Sequence, residues 1–201
     1  MLNVKAFTSL LAVIVLVGCA YPRAKSSVVQ PVVIQPEQEI TILWDIGNFD
    51  RFNVNDALVR NGTNTKHFEA CTNHFFETTF ARNGYKIKII KVDNAQLGAV
   101  TASSPFVLVM HNVSAKYQLQ SPQSVVLDYE GDLYDLRTGK IVWTAKNWLS
   151  MDPNSNGHSA LQLIRAMAAD GILVRRMEEI VDYEGVLSAQ YRKLPGCPLD
   201  K

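Results

Sequence analysis

The stretch VVLDYEGDLYDLRTGKIVWTAKNWL, residues 125–149, carries the strongest local signal in the chain. As far as Tyr134 it alternates, with Val125, Leu127, Tyr129 and Leu133 on one face and Asp128, Glu130 and Asp132 on the other. The six residues Asp135-Leu136-Arg137-Thr138-Gly139-Lys140 have turn chemistry, with Gly139 free to take a positive φ, and residues 141–149 return as the second strand. One dry face and one wet face predict an antiparallel hairpin packed on a single side. Three carboxylates at two-residue spacing repel one another, costing about a few tenths of a kcal/mol each unless matched across the ladder. Lys146 on the returning strand, or Lys86, Lys88 and Lys91 elsewhere, could match them. The other reading makes Asp128, Glu130 and Asp132, with Trp148, an acidic face that docks a basic partner.

Upstream, residues 106–113 (FVLVMHNV) are apolar on both faces, as in a central strand, with an extension through Tyr117 to Leu119; His111 reads as a satisfied structural residue. Residues 85–92 (YKIKIIKV) alternate lysine with isoleucine, the pattern of a strand with one wet face. Before them, residues 65–83 predict a helix whose broad apolar face holds Phe68, Thr72, Phe75, Phe76, Thr79 and Phe80, stopped by Gly84. On its adjoining face His67, Cys71 and His74 stand at i, i+4 and i+7, a row that could ligate Zn²⁺ or Cu with a fourth donor from elsewhere. The alternative is a solvated flank whose thiol pairs with Cys197. Residues 39–46 (EITILWDI) read as the first strand, followed by an Asn- and Asp-rich connection over residues 48–64. Asp45, Asp50 and Asp56 do not follow the spacing of a calcium loop.

Downstream, residues 158–177 predict a second long helix burying Leu161, Ile164, Ala168, Ile172 and Val174 or Arg175, with Gly171 as a kink or an end. The last segment, residues 182–201, holds Leu187, Tyr191 and Leu194 at a rough helical interval before Pro195-Gly196-Cys197-Pro198. The order strand, helix, strand, strand, long hairpin, helix predicts an α/β (α+β) domain: a mixed sheet of about five strands flanked by helices. Residues 21–38, with three prolines and no helical period, read as a tether ahead of a single domain spanning residues 39–201.

At the N-terminus Lys5 precedes an apolar run of 13 residues, Ala6 to Gly18, too short for a permanent span and laid out as an export signal. It ends in Leu16-Val17-Gly18-Cys19, which resembles the lipobox of bacterial lipoproteins. That resemblance implies removal of residues 1–18, diacylglycerol and an N-acyl chain on Cys19, and a lipidated linker over residues 19–38. Ala20, where an Asp would favour inner-membrane retention, implies the periplasmic face of the outer membrane. Cys71 and Cys197 then lie in an oxidising compartment, paired or free. A formal charge of +1 gives no electrostatic case for nucleic acid.

Taken with the lipobox and the linker, Asp135, Thr138, Gly139, Ile141 and Trp143 match the strand pattern D-x-x-T-G-x-[IV]-x-W of a group of envelope lipoproteins. The group includes the curli-secretion channel lipoprotein, the outer-membrane activator of a penicillin-binding protein and the lipoprotein of an exopolysaccharide exporter, with a fold like the N-terminal domain of TolB. The resemblance covers residues 39–177 in order of elements and the hairpin in residues. It implies a non-catalytic accessory protein in envelope assembly, secretion or cell-wall synthesis, anchored by lipid, using no cofactor, and meeting envelope proteins or further copies of itself. No nucleophile elbow, HExxH, phosphate loop or CxxC is present. A small-ligand or metal-binding lipoprotein and, more remotely, an envelope hydrolase are the competing classes.

Overall fold

In a computed structural model, described here for residues 24–45, 64–92, 104–118, 121–150, 156–182 and 197, a six-stranded mixed sheet is covered on one face by two helices. The elements are β1 (Lys25–Val28), β2 (Glu39–Trp44), α1 (Thr65–Arg82), β3 (Lys86–Lys91), β4 (Phe106–Gln118), β5 (Ser121–Asp135), β6 (Lys140–Ser150) and α2 (Asn156–Ala169), followed by a 3₁₀ turn, Met177–Glu179. The strand order is β1-β6-β5-β4-β2-β3, with β2 parallel to both β3 and β4 and every other pair antiparallel.

The alternation in the hairpin sets the layers. Val125, Leu127, Tyr129 and Leu133 of β5 are buried in one core with Ile40, Ile42 and Trp44 of β2 and Phe68, Phe76 and Phe80 of α1. In that core the Trp44 ring meets Phe76 edge-on at 4.9 Å and Tyr129 at 5.5 Å between centroids. Gly131 keeps the alternation without a side chain, because a Cβ there would meet Leu108 Cδ1 at 3.2 Å. Where α2 crosses β5 and β6 the core is polar but satisfied. Asn147 donates from Nδ2 to the Tyr129 hydroxyl at 2.9 Å and to the Ser159 carbonyl at 3.0 Å, and burial holds the Tyr129 phenol well above its ordinary pKa.

α1 begins at Asn64, whose Oδ1 accepts the His67 N–H at 3.0 Å, and ends at Gly84 with φ 81°. Its expected apolar face is the buried one, with Cys71 added. α2 is shorter than the sequence suggests. Gly171 takes φ 71° just beyond it, so Ile172 turns inward while Val174 is 51% exposed rather than buried. Residues 183–196, with Leu187, Tyr191 and Leu194, lie outside the described residues.

The largest departure is at the start of the domain. Residues 21–38 were expected as tether, yet Lys25–Val28 pairs with β6, adding the sixth strand, and Ile34 is fully buried and bridges Leu173. The short segment KSSV has too little pattern to announce a strand; the open edge of β6 confers it.

Candidate interaction face

The helix-free face of the sheet divides in two. Toward β3 it is apolar, with Leu43, Val107 and Val109 buried beside Ile90, Tyr134 and Leu136. Toward β1 it is charged. Asp128, Glu130 and Asp132 of β5 lie opposite Trp148, Lys146 and Thr144 of β6 on one side and Ser114, His111 and Val109 of β4 on the other. The four residues singled out from sequence, Asp128, Glu130, Asp132 and Trp148, therefore share one face.

Their charges are unevenly matched. Asp128 pairs with Lys116 and accepts the Ser114 hydroxyl at 2.8 Å; Glu130 pairs with Lys146, and His111 Nε2 stands 3.9 Å from its other oxygen. Lys146 is held above its ordinary pKa by that hydrogen bond. Both lysines are about 70% exposed, so these pairs are screened and cheaply opened. Asp132 has no cation or hydrogen-bond donor within bonding distance among the described residues. Partial burial raises its pKa, with His111 drawing it down and Glu130 pushing it up. Lys86, Lys88 and Lys91 play no part, because β2 and β4 separate their strand from β5; Lys91 instead bonds Glu69 at 2.6 Å.

The turn that closes the hairpin is built from the signature residues. Asp135 receives the Arg137 side chain through two hydrogen bonds, 2.9 Å from Nε and 2.7 Å from the terminal nitrogen, and the Arg137 backbone N–H at 3.0 Å. These bonds hold its pKa below the ordinary carboxylate value. The Asp135 carbonyl accepts the Thr138 hydroxyl at 3.2 Å and the Gly139 N–H at 2.8 Å, and Gly139 takes φ 68°. Trp143 is fully buried and donates from Nε1 to Asp170 Oδ2 at 2.7 Å, fastening β6 to the end of α2. Asp135, Thr138, Gly139 and Trp143 each have a structural duty.

Of the two readings of His67, Cys71 and His74, a donor row or a helix flank whose thiol pairs with Cys197, the fold takes the disulfide. Cys71 is joined to Cys197 across 126 residues, with 5.7 Å between Cα atoms, and both are buried beside Phe75. The donor atoms that converge within 4.8 Å belong to His67, Cys71 and Cys197. His67 Nε2 lies 3.3 Å from Cys71 Sγ, and a sulfur spent in a disulfide offers no thiolate to a metal. His74 stands edge-on to Phe75 at 6.0 Å. Asp45 is buried and accepts the Asn112 N–H at 3.2 Å; Asp50, Asp56 and the 46–63 connection lie outside the described residues, as do Cys19 and the sequence around it. Among the described residues no helix is long and apolar enough to cross a membrane.

No protein-family model matches this sequence, and no curated protein matches it. Solved structures similar in shape include two PelC dodecamers. They come from Paraburkholderia phytofirmans in two crystal forms, one of them a point variant. Each is 12% identical to this chain and covers 76% of it, and 98% and 99% of the PelC chains are covered, at TM-scores of 0.44 and 0.45.

Proposed function

We propose that this chain is a lipid-anchored, non-catalytic lipoprotein of the cell envelope, held at Cys19 and docking an envelope protein through the charged, helix-free face of β4, β5 and β6. The observation that carries the docking reading is Asp132. A partly desolvated carboxylate with no bonded cation or donor among the described residues, drawn down only by His111, costs the fold some stability, and such costs persist where a surface is used. Asp128 and Glu130 flank it, each tied to an exposed lysine that a basic partner could displace. Three acids on one face of one strand cannot bracket a substrate from two sides, which speaks against a glycosidase-type pair.

Asp132→Asn separates docking from folding. The raised pKa means that the ionised carboxylate destabilises the fold at neutral pH, and that this cost disappears below the ordinary value of about 3.9, where both states are protonated. The variant is therefore expected to melt slightly above the wild type at pH 7 and with it at the acidic end. In crosslinking of intact cells, replacing Asp128, Glu130 and Asp132 with Asn or Gln should reduce partner capture without lowering the melting temperature. Undiminished capture, or a fold that weakens instead, makes the face structural.

The anchor has its own test. Cys19→Ala is expected to leave unprocessed precursor without acyl mass, released from the membrane fraction. Lipid label on that variant refutes lipidation at this position.

A further inference from the structure

If Cys19 is lipidated, β1 leaves little chain between lipid and fold, and we infer that the β1 edge of the domain rests on the phospholipid surface. This rests on the anchor reading above and adds an orientation to it. Cys19 and Lys25 are six peptide units apart, so they are separated by at most about 20 Å. The sheet extends as far or farther than that from Lys25 along the strands. Lys25 is level with Lys146 and, through it, with Glu130, and β5 continues nine residues beyond Glu130 to Ser121, about 30 Å. In the other direction β6 runs six residues from Lys146 to Lys140, about 20 Å, before the turn. Standing upright on the end nearer β5's start would bury the sheet in lipid, and standing on the other would stretch the tether to its limit. Laid on its β1 edge, the domain has no other strand between Lys25 and the membrane, since β1 is outermost in the sheet.

A second, independent observation marks the same edge. The exposed large apolar residues among those described are Val28, Val29, Val33, Val113 and Val174, exposed by 45–54%. Three of the five lie within the nine residues that follow Lys25. Val174 follows Leu173, the partner of Ile34 across the bridge, and so lies by the segment that holds Val33. The far edge is different: β3 carries Lys86, Lys88 and Lys91, and its isoleucines are partly buried. Around the valines the exposed charges are mixed, Lys25, Lys146 and Arg176 against Glu37, Glu178 and Glu179, so the contact is apolar insertion and should be insensitive to salt. Four valines alone would hold a free domain poorly; the tether supplies the local concentration that makes so small a surface sufficient.

The test uses the mature lipidated protein with valine methyl labels, in bilayer discs of phosphatidylethanolamine and phosphatidylglycerol containing a gadolinium-chelating headgroup lipid. Acyl mass is measured first on the same sample; its absence defeats the anchor reading and with it this one. With acyl mass present, the methyl signals of Val28, Val29, Val33 and Val174 are expected to broaden several-fold more than that of Val113, at low and high salt alike, and less so in Val29→Glu/Val33→Glu. Uniform broadening, or broadening strongest at Val113, overturns the orientation while leaving the anchor intact. Concentration-dependent broadening of the same four valines in detergent without the chelating lipid would assign the edge to a second copy of the chain and also overturn it.

Discussion

Replacing Cys71 and Cys197 together with alanine is expected to lower the free energy of unfolding by about 3–5 kcal/mol, and reductant should do the same to the unaltered chain. The bond spans 126 residues, so it closes most of the described domain into one loop. Chain-entropy arguments give about 4.7 kcal/mol for a loop of 100 residues, and that contribution rises only slowly with length. Both sulfurs are buried against Phe75 on α1, which gives the bond a packing role as well. Urea unfolding of oxidised, reduced and double-alanine protein is the measurement. The reduced and substituted curves should coincide at a lower midpoint than the oxidised one. Coincidence of all three would mean that the C-terminal segment is dispensable to the cooperative fold.

The same bond shows where sequence reading runs out. His67, Cys71 and His74 do lie along α1 at helical spacing, and that regularity suggested a metal row. The pairing with Cys197 was the other reading the sequence offered, and the fold takes it; what decides between the two is a partner far away in sequence, whose approach no local pattern encodes. The tether is a similar case. Lys25–Val28 has neither length nor alternation, and it is a strand because β6 has an open edge to offer, with Ile34 then drawn into the core. Strand order was equally hidden: Lys86, Lys88 and Lys91 looked like natural partners for the acids of β5 until β2 and β4 came between them. By contrast, the hairpin and, apart from Cys71, the buried face of α1 were legible, because a two-residue and a 3.6-residue period are imposed by backbone geometry before any tertiary contact forms. The docking face lies between these cases. Its three acids were visible as a row, but that Asp132 alone has no bonded partner among the described residues follows from register, which puts Thr144 and Val109 beside it.

Trp143→Ala is expected to cost about 3–5 kcal/mol, the range for removing a large buried aromatic. Its ring is fully buried in the main core, and its indole N–H reaches Asp170 where α2 ends, so one side chain closes the sheet and fixes the helix above it. Trp143→Phe separates those two duties. Phenylalanine retains most of the apolar contact and loses the hydrogen bond, which is worth about 1.5–3 kcal/mol when the acceptor is charged. Less than that should be lost here, because Asp170 is half-exposed and water can replace the indole. The order of stabilities by urea or thermal unfolding should therefore be wild type, then Trp143→Phe, then Trp143→Ala, with the second step the larger. If phenylalanine costs as much as alanine, the Asp170 bond rather than ring packing holds β6 to α2. The tryptophan at the end of the D-x-x-T-G-x-[IV]-x-W pattern would then be kept for its N–H. With the expected order, the pattern is a folding device: a turn locked by Asp135 and Gly139, followed at a fixed distance by the residue that seats the returning strand in the core.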